Sequence, residues 1–245
     1  MTDFDLDAIR AELVQPGVLN AGINLGNILL VTGKRANGDP DGVSPDMAEA
    51  IADKLGVDLK LNTYATPGEV ADAVLRGEWD IGNIAIEAKR AEIISFCSTY
   101  VEIQATYLVP DGSPLQTIED VDQPGIKIAV SDRSAYDLYL TRTLQHAELV
   151  RGKGLGGTFE MFQEGGQDAL AGLVPALKEN AEQMPGSRLI PGRFTTVTQA
   201  IGTRPEATNL NAFVEAFIQD AKASGLVQQL IDKHGVTGKL EVASD

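Results

Sequence analysis

The stretch GEWDIGNIAIEAKRAEIISFCSTYVE, residues 77–102, predicts how the rest of the chain is organised. It reads as a short buried strand from Trp79 to Ile84, a loop, a helical turn that holds Arg90, and a long extended segment. Open α/β sheets bind ligands at the carboxyl ends of their strands. An arginine there offers a planar, permanently charged fork suited to a carboxylate or phosphate. Arg90 is therefore a candidate anion-binding residue; the alternative is a solvated arginine on a helical turn.

The order of the segments around this stretch carries a family resemblance. The helix GVSPDMAEAIADKLG, the strand VDLKLNTY, the helix PGEVADAVLRG and the strand EWDIGNIAI lead in this order to KRAEIISFCSTYV. The set resembles the type II solute-binding proteins of ABC importers, specifically the amino-acid-binding family 3, over about residues 17–235. The residues that match the family pattern are Gly42, Asp46, Ala48, Ala50, Ile51, Ala52, Leu55, Gly56, Gly77, Asp80, Arg90, Phe96, Ser98 and Tyr100.

The resemblance implies an α/β chain with a two-lobed, periplasmic-binding-protein-like type II fold, in which two α/β domains are joined by a two-strand hinge. Lobe 1 is predicted to comprise residues 1–105 and 198–245, and lobe 2 residues 106–197. The hinge crossings are predicted near residues 104–109 and 193–203. In such a fold a small ligand is trapped in a cleft by domain closure.

The composition excludes several classes of protein. Of 245 residues, 43% are hydrophobic and 22% charged, as in a globular protein with a substantial core. The net charge of −15 argues against nucleic acid as a partner, because that binding depends on Lys and Arg contacts to phosphate. No apolar run approaches the roughly 20 residues of a membrane span, so no membrane insertion is predicted. The single cysteine, Cys97, excludes an internal disulfide and is predicted to lie in the core.

The amino terminus, MTDFDLDAIRAEL, is acidic and amphipathic, and residues 3–13 are predicted to form a short helix. It lacks the basic start, apolar core and small-residue cleavage site of a secretory signal. The sequence as written therefore predicts a cytoplasmic protein, which departs from the exported family. The alternative is a periplasmic protein whose signal has been removed.

Two local patterns give further predictions. Ser44-Pro45-Asp46 is typical of a helix start, with Ser44 as the N-cap and Pro45 at the first helical position. The glycine run GKGLGG, residues 152–157, is predicted to be a loop that lacks the strand-to-helix context of a nucleotide site.

Lobe 1 offers further candidate ligand-binding residues at the ends of two strands. Asn24 and Asn27 lie at the end of the predicted first strand, GVLNAGINL. The family carries an acidic or polar residue and then a ligand-stacking aromatic there, a pattern that Asn27 and Ile28 replace. The segment before the binding arginine is about two residues shorter than in the family and lacks its usual hydroxyl. Asn83 or Glu87 is expected to substitute for that contact.

Lobe 2 is predicted to supply the other half of the site. A serine at a helix N-terminus, beside free backbone N–H groups, forms an anion site, and Ser134 in VSDRSAYDLYL occupies this position. The family commonly has Gly-Thr/Ser here, so Ser134 matches the hydroxyl and Arg133 replaces the glycine. The alternative is that Ser134 only caps its helix. Arg133 adds a second positive charge to the cleft or points to solvent.

The segment QDALAGLVPAL departs from the family in a way that concerns the ligand. The family has Asp-Ala-x-x-x-Asp, in which the second acid pairs with the α-ammonium of the ligand. Asp168 and Ala169 match, but Leu173 replaces the second acid. A buried ammonium without a partner costs several kcal/mol. The ligand is therefore predicted not to be a standard α-amino acid; a carboxylate without the ammonium, or a neutral amide-like or cyclic molecule, fits better.

These observations predict an ABC-transporter-type solute-binding protein that binds a small, carboxylate-bearing solute, with a transporter permease as its candidate protein partner. The predicted ligand-binding residues are Arg90, Ser134, Asn24, Asn27, Asn83, Arg133 and Glu87. No catalytic residue, cofactor or metal is predicted, because the two histidines are read as structural and no His, Cys, Asp and Glu set has ligand spacing.

Three alternatives stay open. A lyase that resembles cyclohexadienyl dehydratase would use a carboxylic acid in the cleft. A cytoplasmic ligand sensor would bind without transport. A scaffold with a decayed site would do neither.

Overall fold

The computed structural model of the protein describes residues 4–244 and confirms the predicted α/β class. The chain divides into two compact units: unit 1 comprises Met1–Glu102 and Thr198–Asp245, and unit 2 comprises Ile103–Val197. The strands are β1 (Val18–Asn24), β2 (Gly33–Lys34), β3 (Pro40–Asp41), β4 (Asp58–Tyr64), β5 (Ile81–Ala85), β6 (Ser95–Val109), β7 (Lys127–Ser131), β8 (Glu148–Gly152), β9 (Ala169–Leu173), β10 (Arg188–Leu189), β11 (Thr195–Thr203) and β12 (Glu241–Val242). The helices are α1 (Leu6–Ala11), α2 (Val43–Leu55), α3 (Pro67–Val74), α4 (Ala135–Thr143), α5 (Gly154–Glu164), α6 (Val174–Glu182), α7 (Thr208–Ala223) and α8 (Leu226–Lys233).

In unit 1 the strand order β4-β1-β5-β11 brings two strand ends together. β1 pairs in parallel with both β4 and β5, and Ile23 on β1 lies beside Asn83 on β5. β11 runs antiparallel to β5 and places Ile201 on the other side of Asn83. The carboxyl ends of β1 and β5 therefore meet at one edge of the sheet.

The single tryptophan, Trp79, packs on two glycines of this sheet. They are Gly22 on β1 and Gly82 on β5, which lie in register. A Cβ on Gly22 would lie 2.8 Å from the Trp79 ring, and a Cβ on Gly82 2.9 Å from it. The indole nitrogen donates a hydrogen bond of 2.9 Å to the Val70 carbonyl of α3. The absence of side chains at these two positions lets a large aromatic ring fill the core between the sheet and α3.

The start of α2 corrects one prediction. The N-cap is Gly42, not Ser44, so no side-chain hydrogen bond caps the start of this helix. At its φ of 152° a Cβ would lie 2.3 Å from the Leu30 carbonyl oxygen, so only glycine fits. The Ser44 hydroxyl is instead buried, 3.2 Å from the hydroxyl of Tyr100.

The first helix, α1, is shorter than the predicted helix over residues 3–13. Asp5 is its N-cap, and the Oδ1 atom accepts hydrogen bonds of 3.1 Å from the backbone N–H groups of Asp7 and Ala8. Residue 3 lies outside the described residues.

In unit 2 the strand order is β6-β9-β7-β8, with β7 parallel to both β8 and β9. A buried cluster that includes Phe162 and Leu177 packs α5 and α6 against these strands. The glycine run over residues 152–157 was predicted to be a loop, and this is wrong. β8 ends at Gly152 and α5 begins at Gly154, so the run forms a strand-to-helix junction and the first turn of α5.

Candidate functional site

The carboxyl end of β5 holds Arg90 beside the sheet edge of unit 1. Arg90 begins a short 3-10 turn, Arg90–Glu92, and is only 4% exposed. Its Nη1 atom donates a hydrogen bond of 2.9 Å to the carbonyl oxygen of Ala85, the last residue of β5. Its own carbonyl accepts from the backbone N–H groups of Ile93 and Ile94 and so ties the turn to the next strand. A buried guanidinium at a strand end is the geometry expected of a residue that binds an anionic group.

Asn83 is the residue in this region whose side chain demands a partner. It is 2% exposed, and its in-register neighbours on the two adjacent strands, Ile23 and Ile201, are fully buried. Among residues 4–244, Asn83 alone has both side-chain polar atoms buried without a hydrogen bond. An unsatisfied buried polar group costs roughly 1–3 kcal/mol. Such an amide is stabilised when a ligand group or a bound water supplies the missing donor and acceptor.

Asn24 and Asn27 build the turn that follows β1. The Asn24 Oδ1 accepts a hydrogen bond of 3.0 Å from the Gly26 N–H. The Asn27 Oδ1 accepts from the N–H groups of Leu29 and Leu30 at 3.2 and 3.3 Å. Both amide oxygens therefore hold the backbone of the turn, a role that sequence reasoning did not foresee.

Glu87 lies in the loop between β5 and the 3-10 turn and is 5% exposed. Its Oε2 accepts a hydrogen bond of 2.8 Å from the Lys89 N–H, and its carbonyl accepts from the Ala91 N–H at 2.9 Å. These contacts fold the loop so that Glu87 and Arg90 occupy the same short segment.

In unit 2, Ser134 joins β7 to α4. It is the N-cap of α4, and its hydroxyl accepts a hydrogen bond of 3.0 Å from the Asp137 N–H. Tyr136 hydrogen-bonds to the side chains of Ser134 and Ser131. Burial raises the pKa of Tyr136 to about 12, so its phenol stays neutral at physiological pH. Ser134 thus has the capping role that its position permits, and Tyr136 is a neighbour that sequence reasoning missed.

Arg133 has an unusual backbone. Its φ of 56° is positive, and no other non-glycine residue among residues 4–244 shares this property. The side chain is exposed, while the backbone N–H donates a hydrogen bond of 2.8 Å to the Oδ2 of Asp137. Asp137 is 2% exposed and also pairs with Arg151, whose Nη2 lies 3.0 Å from its Oδ1. This buried carboxylate therefore fixes the turn that carries Arg133 and Ser134.

The structure thus groups the predicted residues by unit. Asn24, Asn27, Asn83, Glu87 and Arg90 lie at the carboxyl ends of β1 and β5 in unit 1. Arg133 and Ser134 lie at the carboxyl end of β7 in unit 2. The position that carries an acid in the family, Leu173, is the last residue of β9, which is paired with β7.

A second polar cluster in unit 1 is an ion-pair network. Asp46, 6% exposed, accepts from Arg35 Nη2 at 2.7 Å, Lys233 Nζ at 2.6 Å and His234 Nε2 at 2.7 Å. Asp46, His234 and Asp41 also bring their ligand atoms within 4.8 Å of one another, a grouping that the sequence spacing hid. Because two cationic side chains already contact Asp46, the cluster is suited to linking α2 with the end of α8.

The architecture and the sequence both indicate the family of the chain. An α/β chain in two units, with polar side chains at the carboxyl ends of parallel strands in each, is the arrangement of a protein that binds small solutes. Residues 31–237 match the family model of bacterial extracellular solute-binding proteins, family 3. The chain belongs to this family, as its sequence pattern predicted. No curated protein matches the chain.

Solved structures share the fold at low sequence identity. A mutant of ArgBP from T. maritima is 23% identical, with a TM-score of 0.74 over 93% of this chain and 97% of that chain. AbpA, an amino acid ABC transporter substrate-binding protein from Streptococcus pneumoniae bound to L-arginine, is 22% identical, with a TM-score of 0.74 over 93% and 97%. AncCDT-1, an ancestral amino acid-binding protein and precursor of cyclohexadienyl dehydratase, is 22% identical, with a TM-score of 0.74 over 93% and 98%.

These likenesses show the two-lobed type II fold and leave the ligand to be argued from the residues. Within residues 4–244, no helix combines the length and the apolar character needed to cross a membrane.

Proposed function

We propose that this protein binds a small, carboxylate-bearing solute and delivers it to an ABC transporter permease. Arg90 binds the anionic group, and Asn83 hydrogen-bonds a polar group next to it. Asn24, Asn27 and Glu87 shape this side of the site. Ser134 and Arg133 contribute from unit 2, and closure of the two units around the solute is part of the proposal.

The observation that carries the proposal is the pair of Asn83 and Arg90 at the carboxyl end of β5. The Asn83 amide has no partner among the described residues, although it is 2% exposed. Arg90 lies at the end of the same strand, with its Nη1 2.9 Å from the Ala85 carbonyl. A solute with a carboxylate and a second polar group would supply the missing partners to the amide and accept a charge-assisted hydrogen bond from the guanidinium.

The solute we propose is not a standard α-amino acid. Leu173 occupies the position at which the family pairs an acid with the α-ammonium. Asp168, the nearest acid in that segment, has its Oδ2 2.8 Å from the Lys127 N–H and so serves the backbone at the start of β7. An ammonium facing leucine would lose its hydration without gaining a counter-charge.

Isothermal titration calorimetry tests the proposal with two panels of compounds. One panel contains mono- and dicarboxylates without an amine, and the other the standard amino acids. We expect a carboxylate to bind with micromolar affinity and to lose at least tenfold in Arg90→Lys, which keeps the charge and loses the planar fork. Arg193→Lys, at an exposed arginine of unit 2, is the matched control. Micromolar binding of an amino acid would reject the ligand class, and an unaffected Arg90→Lys would reject the clamp.

Binding without turnover is the form of function that the family supports, and the lyase alternative makes a different prediction. Glu87 is the buried carboxyl nearest in sequence to Arg90, and a desolvated acid can act as a general acid. Incubation with a cyclohexadienyl acid, followed by chromatography, should return the compound unchanged. If the wild-type protein forms a product and Glu87→Gln does not, the protein is a lyase instead.

The family name places its members outside the cell, which supports the periplasmic alternative over the cytoplasmic prediction made from the amino terminus. Fractionation of expressing cells distinguishes the two compartments.

A further inference from the structure

The carboxyl edge of the unit 1 sheet exposes large apolar side chains beside the predicted anion site. Leu25 is 42% exposed, Ile28 44% and Ile86 36%. Leu25 and Ile28 follow β1, and Ile86 follows β5, the parallel neighbour of β1. Among residues 4–244, the remaining exposed large hydrophobics are Val14 and Leu75, which precede β1 and β5 at their amino ends. The exposed apolar surface is therefore concentrated at the edge that carries Arg90.

The turn after β1 selects which apolar residues face outward. In the run NLGNILL, residues 24–30, Leu29 and Leu30 are 3% and 2% exposed, whereas Leu25 and Ile28 are exposed. The Asn27 Oδ1 fixes this arrangement through its bonds to the N–H groups of Leu29 and Leu30. Because the turn is held by these bonds, Leu25 and Ile28 stay exposed at the carboxyl end of β1.

The charged group lies at the same strand end. The Ala85 carbonyl accepts the hydrogen bond from Arg90 Nη1, and Ile86 is the next residue. The Ile86 N–H is fixed 3.0 Å from the Thr198 carbonyl of β11. A cationic group and aliphatic side chains are thus adjacent at one sheet edge, and their complement is a molecule with an anionic head and an apolar body.

We infer that the solute is an organic acid with a hydrocarbon body, held by Arg90 at its carboxylate and by Leu25, Ile28 and Ile86 along its chain. This inference rests on the proposed function and narrows its ligand class. Aliphatic residues replace a stacking aromatic, so the body need not be a planar ring. Polyhydroxylated acids are excluded, because their hydroxyls would lose hydration against these side chains.

The test is a calorimetric titration of acids that share a carboxylate and differ in the body. Propanoate, butanoate and hexanoate vary the chain length, and gluconate matches hexanoate in carbon number with a hydroxylated body. We expect the affinity to rise about two- to fourfold per methylene, as apolar area is buried. Hexanoate should bind at least tenfold more tightly than gluconate.

Substitutions at exposed positions test whether Leu25 and Ile28 cause the dependence on chain length, without disturbing the core. Ile28→Ser and Leu25→Ser should each reduce the hexanoate-to-propanoate affinity ratio by about three- to tenfold. Leu75→Ser, at an exposed leucine near the opposite edge, should leave the ratio as in the wild type. If acids bind with no dependence on chain length, or if gluconate matches hexanoate, the apolar-body inference is overturned while the carboxylate proposal stands. If none of the acids binds the wild-type protein, or if one binds with the same affinity in Arg90→Lys, the proposed function fails as well.

Discussion

Replacing Asn83 with valine should stabilise the folded protein while weakening ligand binding. Most substitutions of a buried polar residue destabilise, because they leave a partner unsatisfied. Asn83 differs, since neither polar atom of its amide has a partner among the described residues. Valine is one atom shorter, favours strands, and would lie between the in-register isoleucines at 23 and 201.

The magnitude follows from the two unsatisfied atoms. Removing one buried unpaired polar group should raise the free energy of unfolding by roughly 1–3 kcal/mol. The shape change causes a small loss of packing energy, which the added apolar burial offsets. We expect a net gain in the free energy of unfolding of about 2 kcal/mol, which corresponds to a rise in the unfolding midpoint of roughly 4–8 °C. Carboxylate affinity should fall at least tenfold in the same variant, because the amide then no longer bonds the ligand.

Asn20→Val is the matched control on the neighbouring strand. Asn20 is 4% exposed, but its Nδ2 donates to the Oδ2 of the buried Asp80 at 3.2 Å. The same substitution there should cost about 1–3 kcal/mol. Thermal and urea unfolding followed by fluorescence of Trp79 measure both variants, since this single tryptophan lies in unit 1 with both asparagines. A loss of stability in Asn83→Val comparable to that in Asn20→Val would refute the reasoning, because it would mean that the Asn83 amide is satisfied.

Three further changes test other parts of the structure. Burial raises the pKa of Asp46, but hydrogen bonds from Lys233 and His234 outweigh this effect and hold the pKa below its ordinary value. Asp46→Asn should therefore lower the free energy of unfolding by about 1–3 kcal/mol at pH 7. In urea titrations, the difference in stability between this variant and the wild type should disappear as the pH falls below about 4. Arg133→Gly should be more stable than Arg133→Ala by about 0.5–1 kcal/mol, because glycine adopts the positive φ without strain and loses part of that gain through its unfolded-state entropy. Equal stability of these two variants in calorimetry would contradict the backbone strain at this position. Gly82→Ala should lower the free energy of unfolding by about 1–3 kcal/mol and shift the fluorescence of Trp79, because the new Cβ would collide with the ring. Gly157→Ala, at an exposed position inside α5, should raise the free energy of unfolding by about 0.5–1 kcal/mol. Equal effects of the two substitutions would contradict the packing of Trp79.

Much of the fold could be predicted because its signals are local. Thr66 and Pro67 begin α3, and Gly56 ends α2 in the left-handed conformation. The position of Arg90 after a buried strand was visible for the same reason. Ser134 was correctly placed at the start of α4, although its capping hydrogen bond leaves the ligand role as a proposal.

The rest depends on contacts between distant parts of the chain. Gly42 replaces Ser44 as a cap because the Leu30 carbonyl approaches it, which no local pattern encodes. The isolation of the Asn83 amide is set by strands β1 and β11, which lie far from it in sequence. The difference between Ile28 and Leu29 is likewise invisible in their apolar character, since the hydrogen bonds of one turn determine which of them is exposed.

The discontinuity of unit 1 has a consequence for the order in which the two units fold. Unit 2 is one continuous segment, so every residue it needs is synthesised before unit 1 is complete. Unit 1 requires the end of the chain: Glu12 accepts from the N–H of Leu210 at 2.8 Å, and the Ala243 N–H donates 3.0 Å to the Tyr100 carbonyl. Because a domain folds once all its residues are available, unit 2 should reach its native contacts first, and the first hundred residues can do so only when the carboxyl-terminal helices have followed. Unit 1, which carries Arg90, is therefore the last part of the molecule to form.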